Sequence, residues 1–370
     1  MRQRAGRAVM AALGTTLASG TLASLTLTGS VSASPTSAAV QAAQEAQAAH
    51  PSQDAQEAEP ANTAGSILAV VGRQVAWLNL EAPRHRVISR IATPANALEV
   101  TVRRGGDGIV VSVGGPFSSG GPRGADLISL DAASGTTTPI VARTEARESL
   151  NSPTWWPDGE TLVFERQDLS GQPVGAPGQE VPRYPSRIER VLADGTERSV
   201  MLPDGRQPDA APDGSGLVYA RTTNQGASVL VWHQVDGTVQ TLVPEGRFAD
   251  VAYPRFSPGG DQVAFVAPPS GISAAPRLAP PLIDALFGLS VVFAHGIPWD
   301  PWVINADGTN LRRAAELGAD EPSVAWSPDG TQLFVYSGTG SFIVDAGSGA
   351  VTPLPFVQGY GPTVWLASAP

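Results

Sequence analysis

The chain is patterned in short apolar runs separated by turns, and the pattern repeats. Residues 322–336 read PSVAWSPDGTQLFVY. Val324 and Trp326 alternate with small or polar neighbours, whereas Leu333-Phe334-Val335-Tyr336 is apolar at every position. Alternation marks a strand buried on one face, and an unbroken apolar run marks a strand covered on both. Between them, Ser327-Pro328-Asp329-Gly330 fits a type I turn closed by a glycine able to take positive φ. The phrase recurs as PTWWPDGETLVFE (153–165), PDAAPDGSGLVYA (208–220) and PRFSPGGDQVAFV (254–266). Each copy is followed by a second hairpin with a polar, Gly-containing turn, as in IERVLADGTERSVML (188–202) and WVINADGTNLRRAAE (302–316). The unit is therefore four antiparallel strands.

The prolines before the turn glycines stand at 157, 212, 258 and 328, with gaps of 55, 46 and 70 residues. A four-stranded unit of about 40–50 residues is the period of a β-propeller blade, and the longest gap is one blade plus an insertion. Five units are read at 98–141, 151–202, 206–244, 252–317 and 321–356. Residues 66–92 supply three strands without a first strand, and GPTVW at 361–365 supplies a first strand without the rest. There Pro362 and Trp365 match Pro322 and Trp326 to within one residue of spacing. The predicted fold is all-β: a six-bladed propeller closed by a split blade, with a C-terminal strand joined to three N-terminal ones. Closure removes an open sheet edge.

The repeated P-x-φ-S-P-D-G phrase resembles that of TolB-like β-propellers over about residues 65–370. That resemblance implies the six-bladed ring. TolB also carries an N-terminal α/β domain, in whose place this chain has a spacer. Trp156 and Ala211 stand where the repeat has Ser, and Gly259 where it has Asp. Those turns are expected to hold, since the Pro and the final Gly remain.

Residues 1–33 have the layout of a secretory signal peptide. Arg2, Arg4 and Arg7 precede an apolar stretch, and VSA at 31–33 offers a small-residue cleavage frame. An uncleaved membrane anchor is the alternative. Residues 34–64 are rich in Ala, Gln, Glu and Pro, without an aromatic residue, and read as a disordered spacer. The expected location is extracytoplasmic, secreted or periplasmic.

Composition removes several chemistries. The chain has no Cys and no Lys, so all 24 basic residues are Arg. Thiolate metal sites, Schiff bases and a P-loop lysine are excluded. The formal charge of −10 disfavours nucleic acid. Asp158, Asp213 and Asp329, like Asp194, Asp236 and Asp307, are read as turn formers on separate blades, so no metal site is predicted. Trp155, Trp326 and Trp365 are read as packing between blades.

The stretch at 267–300 is the one the repeat leaves unexplained. It holds a helix-like segment, PPLIDALFGL, whose Leu282, Ile283, Leu286, Phe287 and Leu289 recur at helical spacing, followed by His295, Trp299, Asp300 and Trp302. Its apolar face either packs on its own propeller or meets a partner, ligand or membrane. Ile283, Leu286, Phe287, His295, Trp299 and Trp302 are the candidate binding residues. No catalytic residue and no cofactor is predicted. The expected role is a monomeric, non-enzymatic scaffold for a protein partner or small ligand. It would touch a membrane only through an uncleaved N-terminus. A metal-dependent hydrolase or carbohydrate lyase with its site in the channel is the alternative.

Overall fold

The computed structural model describes residues 65–80, 84–87, 96–114, 124–174, 181–223, 227–269, 298–354 and 357–367. One compact unit spans Asn62–Pro370. Residues 1–64, read above as a signal peptide and spacer, lie outside the described residues, as does most of the insertion.

The strands follow the repeat. The N-terminal strands are β1 (Ser66–Val71), β2 (Gln74–Asn79) and β3 (Arg84–Val87). The first full blade holds β4 (Asn96–Thr101), β5 (Ile109–Gly114), β6 (Ala125–Leu130) and β7 (Thr137–Val141). The second holds β8 (Glu148–Trp155) and β9 (Thr161–Asp168), a short ribbon of β10 (Gln172–Val174) and β11 (Val181–Arg183), then β12 (Ser186–Leu192) and β13 (Ser199–Leu202). The third runs β14 (Arg206–Ala210), β15 (Gly216–Thr222), β16 (Ser228–Gln234) and β17 (Val239–Val243). The fourth runs β18 (Ala252–Phe256), β19 (Gln262–Ala267), β20 (Asp300–Asn305) and β21 (Arg312–Arg313). The fifth runs β22 (Ser323–Trp326), β23 (Gln332–Ser337), β24 (Gly340–Asp345) and β25 (Val351–Leu354), and β26 (Val364–Leu366) ends the chain.

The sixth blade is split as the sequence predicts. Its order is β26-β1-β2-β3, with Ile67 opposite Trp365 and Leu68 opposite Val364 in an antiparallel ladder. Around the ring, β4 touches β8, and β8, β14, β18, β22 and β26 each touch the next. The chain closes where β1 and β2 meet β4. The first strand of every blade is therefore the inner one.

The core is not central. It lies in six apolar clusters, one at each interface between neighbouring blades. This explains the apolar runs. Leu333 and Val335 pack toward the fourth blade, while Phe334 and Tyr336 pack toward the sixth. A strand sandwiched between two sheets has no solvent face on which to place a polar residue. Tyr336 also ties the closure, its hydroxyl donating to the carbonyls of Val70 (2.6 Å) and Gln358 (3.2 Å).

The turns form as their residues dictate. Gly159, Gly214, Gly260 and Gly330 all have φ between 70° and 78°, and each N–H donates to the carbonyl three residues back at 2.9–3.0 Å. Asp329 Oδ1 accepts from the Thr331 N–H and hydroxyl and from the Ser327 hydroxyl. Asp194, Asp236 and Asp307 cap the second turns through Thr196, Thr238 and Thr309. Where Gly259 replaces Asp, Asp261 takes over the Ser257 hydroxyl at 2.8 Å, and the turn holds.

Candidate binding funnel on the ring axis

In five of the six blades the backbone turns left-handed at one residue within or just before the inner strand. Ser152, Gln207, Tyr253 and Glu321 have φ of 46°, 53°, 48° and 44°, and Gly361 has 93°. Every one precedes a proline: Pro153, Pro208, Pro254, Pro322 and Pro362. Left-handed backbone is unfavourable for a residue with a Cβ. In β8, β14 and β18 it coincides with a register shift, which takes the local N–H out of the ladder. A buried N–H needs an acceptor, and the preceding blade supplies one. Glu99 accepts from the N–H and hydroxyl of Ser152. Glu165 accepts from Gln207 N–H at 3.1 Å and from the Ser186 hydroxyl at 2.6 Å. Gln207 Oε1 accepts from Tyr253 N–H at 3.0 Å.

These latches place carboxyl groups on the axis at a cost. Burial pushes the half-buried Glu99 carboxyl up to about 7; the Glu165 charge adds to this, and the Ser152 hydrogen bonds and Arg255 oppose it. Burial also raises Glu165, against the Ser186 hydrogen bond and Arg206. Tyr253 is raised by burial and by Glu99, Glu165 and Glu321.

Beyond the latches, at the Ser-Pro-Asp-Gly end, the inner strands open into a cavity of about 440 Å³. All six blades line it: Val100–Arg104 from the first, Pro153–Pro157 from the second, Asp209 and Ala210, then Arg255 and Phe256, Ala325 and Trp326, and Thr363–Leu366 from the last. Asp209 is fixed by the Phe256 N–H (2.8 Å) and the Thr154 hydroxyl (3.3 Å). Burial raises its carboxyl, against the nearby charges of Arg255 and Arg104. Trp155 Nε1 donates to the Gly108 carbonyl at 2.8 Å and Trp326 Nε1 to the Arg255 carbonyl at 3.0 Å, each reaching the preceding blade. The repeated tryptophans thus pack between blades, as expected, and also wall the funnel. Arg103 stacks 4.3 Å over the Trp155 ring. Aromatic and guanidinium walls of this kind bind ligands through apolar contact and directed donors.

Of the candidate binding residues in and beside the insertion, only Trp299 and Trp302 are among the described residues. Ile283, Leu286, Phe287 and His295 are outside the described residues. Trp299 bridges to Ala319 through two backbone hydrogen bonds of 2.9–3.0 Å. Trp302 is buried, its ring 4.7 Å edge-on from Phe248 and its Nε1 donating to the Ala267 carbonyl at 3.3 Å. The chain leaves β19 and re-enters β20 at the ends farthest from the Ser257–Gly260 turn, on the face opposite the funnel. Among the described residues no group of three or more His, Asp or Glu is arranged to hold a metal ion.

Sequence reading missed Glu99, Glu165, Asp209, Arg104 and Arg255. One signal was present: in four of the five repeats that carry the first proline, the residue after it lines the cavity, namely Thr154, Asp209, Arg255 and Thr363, while Ser323 of the fifth blade is buried and donates to the Gly361 carbonyl.

No family model matches the chain and no curated protein matches its sequence. Solved structures do match. TolB from Acinetobacter baumannii is 16% identical with a TM-score of 0.58, over 84% of this chain and 68% of that one. A protein described as a TolB from Agrobacterium tumefaciens is 18% identical with a TM-score of 0.50, over 79% and 87% of the two chains. The tricorn protease is 14% identical with a TM-score of 0.51, over 81% of this chain and 27% of that one. At these identities the likeness is one of fold: the chain is a six-bladed propeller built like that of TolB.

Proposed function

We propose that this chain is an exported binding protein whose propeller is a rigid, non-enzymatic scaffold and whose axial funnel takes a ligand or a partner segment. The observation that carries the reading is the funnel itself. It is walled by all six inner strands, and its volume of about 440 Å³ lies within the range typical of ligand sites. Tryptophan and arginine, the side chains that dominate binding energy at interfaces, face it from several blades. The Arg-led apolar N-terminus and the VSA frame support export. The unrelated functions carried by propellers of this fold make the site, and not the fold, the basis of the reading.

Two measurements test it. The mass of the protein recovered from the medium of a secreting host should show loss of residues 1–33. A thermal-shift screen of the mature chain with small molecules and short peptides should find a ligand that raises the wild-type Tm. At a hundred times Kd the stabilisation is about 2.7 kcal/mol. Trp156→Ala should lose that shift relative to its own unliganded Tm. Cytoplasmic retention with residues 1–33 intact, or no shift that depends on the funnel, would refute it.

A second reading, a propeller enzyme, has Glu99 behind it, because a carboxyl titrating near neutrality is suited to proton transfer. Consumption of the bound ligand that stops in Glu99→Gln would favour it.

A further inference from the structure

The charge of the funnel runs against that of the chain. The formal charge is −10, yet the lining holds three guanidiniums, Arg103, Arg104 and Arg255, against one carboxylate, Asp209. Arg103 is engaged by the Trp155 ring and by Asp107 at 3.3 Å. Arg104 and Arg255 make no ion pair among the described residues, and Arg255 gives one N–H to the Pro254 carbonyl. They stand on the first and fourth blades, opposite each other in a ring of six. Both line the cavity beside Asp209 of the third blade, whose carboxyl feels the charge of both. Asp209 itself is occupied by Phe256 and Thr154. Thr363 is 1% exposed, lines the cavity, and has a hydroxyl without a partner among the described residues. A buried hydroxyl without a partner is costly.

We infer that the funnel selects an organic anion, with a carboxylate head between Arg104 and Arg255 and an apolar or aromatic body against Trp156, Phe256 and Trp326. This rests on the funnel being the binding site proposed above. A guanidinium donates paired N–H groups to a carboxylate in a fixed plane, and walls that thin out water strengthen that attraction. A free organic acid and the C-terminal carboxylate of a peptide present the same head and body.

The mature chain is titrated by calorimetry with N-acetylphenylalanine, its amide and phenethylamine. The acid should bind, the amide about tenfold more weakly or worse, and the amine not at all. Arg104→Gln and Arg255→Gln should each weaken the acid by about tenfold and leave the amide unchanged, and added salt should weaken the acid alone. Asp209→Asn should tighten it by removing a like charge. Arg104 is exposed, so its variant keeps the test valid if Arg255→Gln lowers the Tm. A peptide ending in phenylalanine that binds as tightly as the acid supports a chain terminus as the natural head, and its exclusion while the acid binds supports a small molecule. Equal binding of acid and amide, or preference for the amine, overturns the anion assignment and leaves the funnel a binding site. No binding of the acid at millimolar concentration overturns it too, and the funnel reading is then decided by the Trp156-dependent shifts.

Discussion

Glu99 should make the stability of the ring fall as pH rises from 5 to 8. Its carboxyl titrates at about 7 in the folded protein, against an ordinary value of 4.5. Between those values the folded chain holds a proton that the unfolded chain has lost. The stabilisation is complete below pH 4.5, declines as pH rises, and is gone above 7. At about 1.4 kcal/mol per pH unit the interval is worth about 3 kcal/mol, trimmed to about 2 kcal/mol because Glu99 is only half-buried and faces the channel. Glu99→Gln keeps an acceptor for Ser152 and cannot titrate. The assay is the thermal midpoint of both proteins, followed by tryptophan fluorescence, from pH 5 to pH 8. All other groups cancel in the comparison except Glu165, which is relieved of a like charge and shifts the result the same way. The variant should match wild type near pH 5 and exceed it by about 5 °C at pH 8. Two curves that stay parallel, or a variant that loses ground as pH rises, would refute the burial of this carboxyl against Glu165.

Two further perturbations probe the ring. Deleting residues 361–370 removes β26, with Trp365 and Leu366 only 5% and 9% exposed, and opens the edge of β1. The lost Trp alone is worth about 3–5 kcal/mol, so the Tm should drop by about 10 °C; an unchanged Tm would contradict the shared blade. Gly330→Ala meets only Pro258 at 3.5 Å, so its cost comes from φ of +74° and should be about 1–2 kcal/mol by denaturant midpoint. A neutral result would mean the turn does not need positive φ.

The sequence by itself determined the strands, the turns and the number of blades, because each depends on neighbours a few residues away. Ser327-Pro328-Asp329-Gly330 closes its own turn, and Leu333–Tyr336 announces burial on two sides wherever it ends up. Even the split blade was legible, since 66–92 lacks a first strand and 361–365 has nothing else. What only the tertiary structure decided is the site. Arg104, Thr154, Asp209, Arg255 and Thr363 are scattered along 260 positions in no local motif. They meet because a closed ring brings the end of every inner strand to one axis. The pull on Glu99 likewise depends on Glu165 and Ser152, which the chain supplies from another blade. The insertion stood out in sequence because it broke the repeat, but Trp302 at its edge is spent on the core against Phe248. A repeat makes its exceptions conspicuous and hides the residues that vary within it, and here the varying residues face the channel.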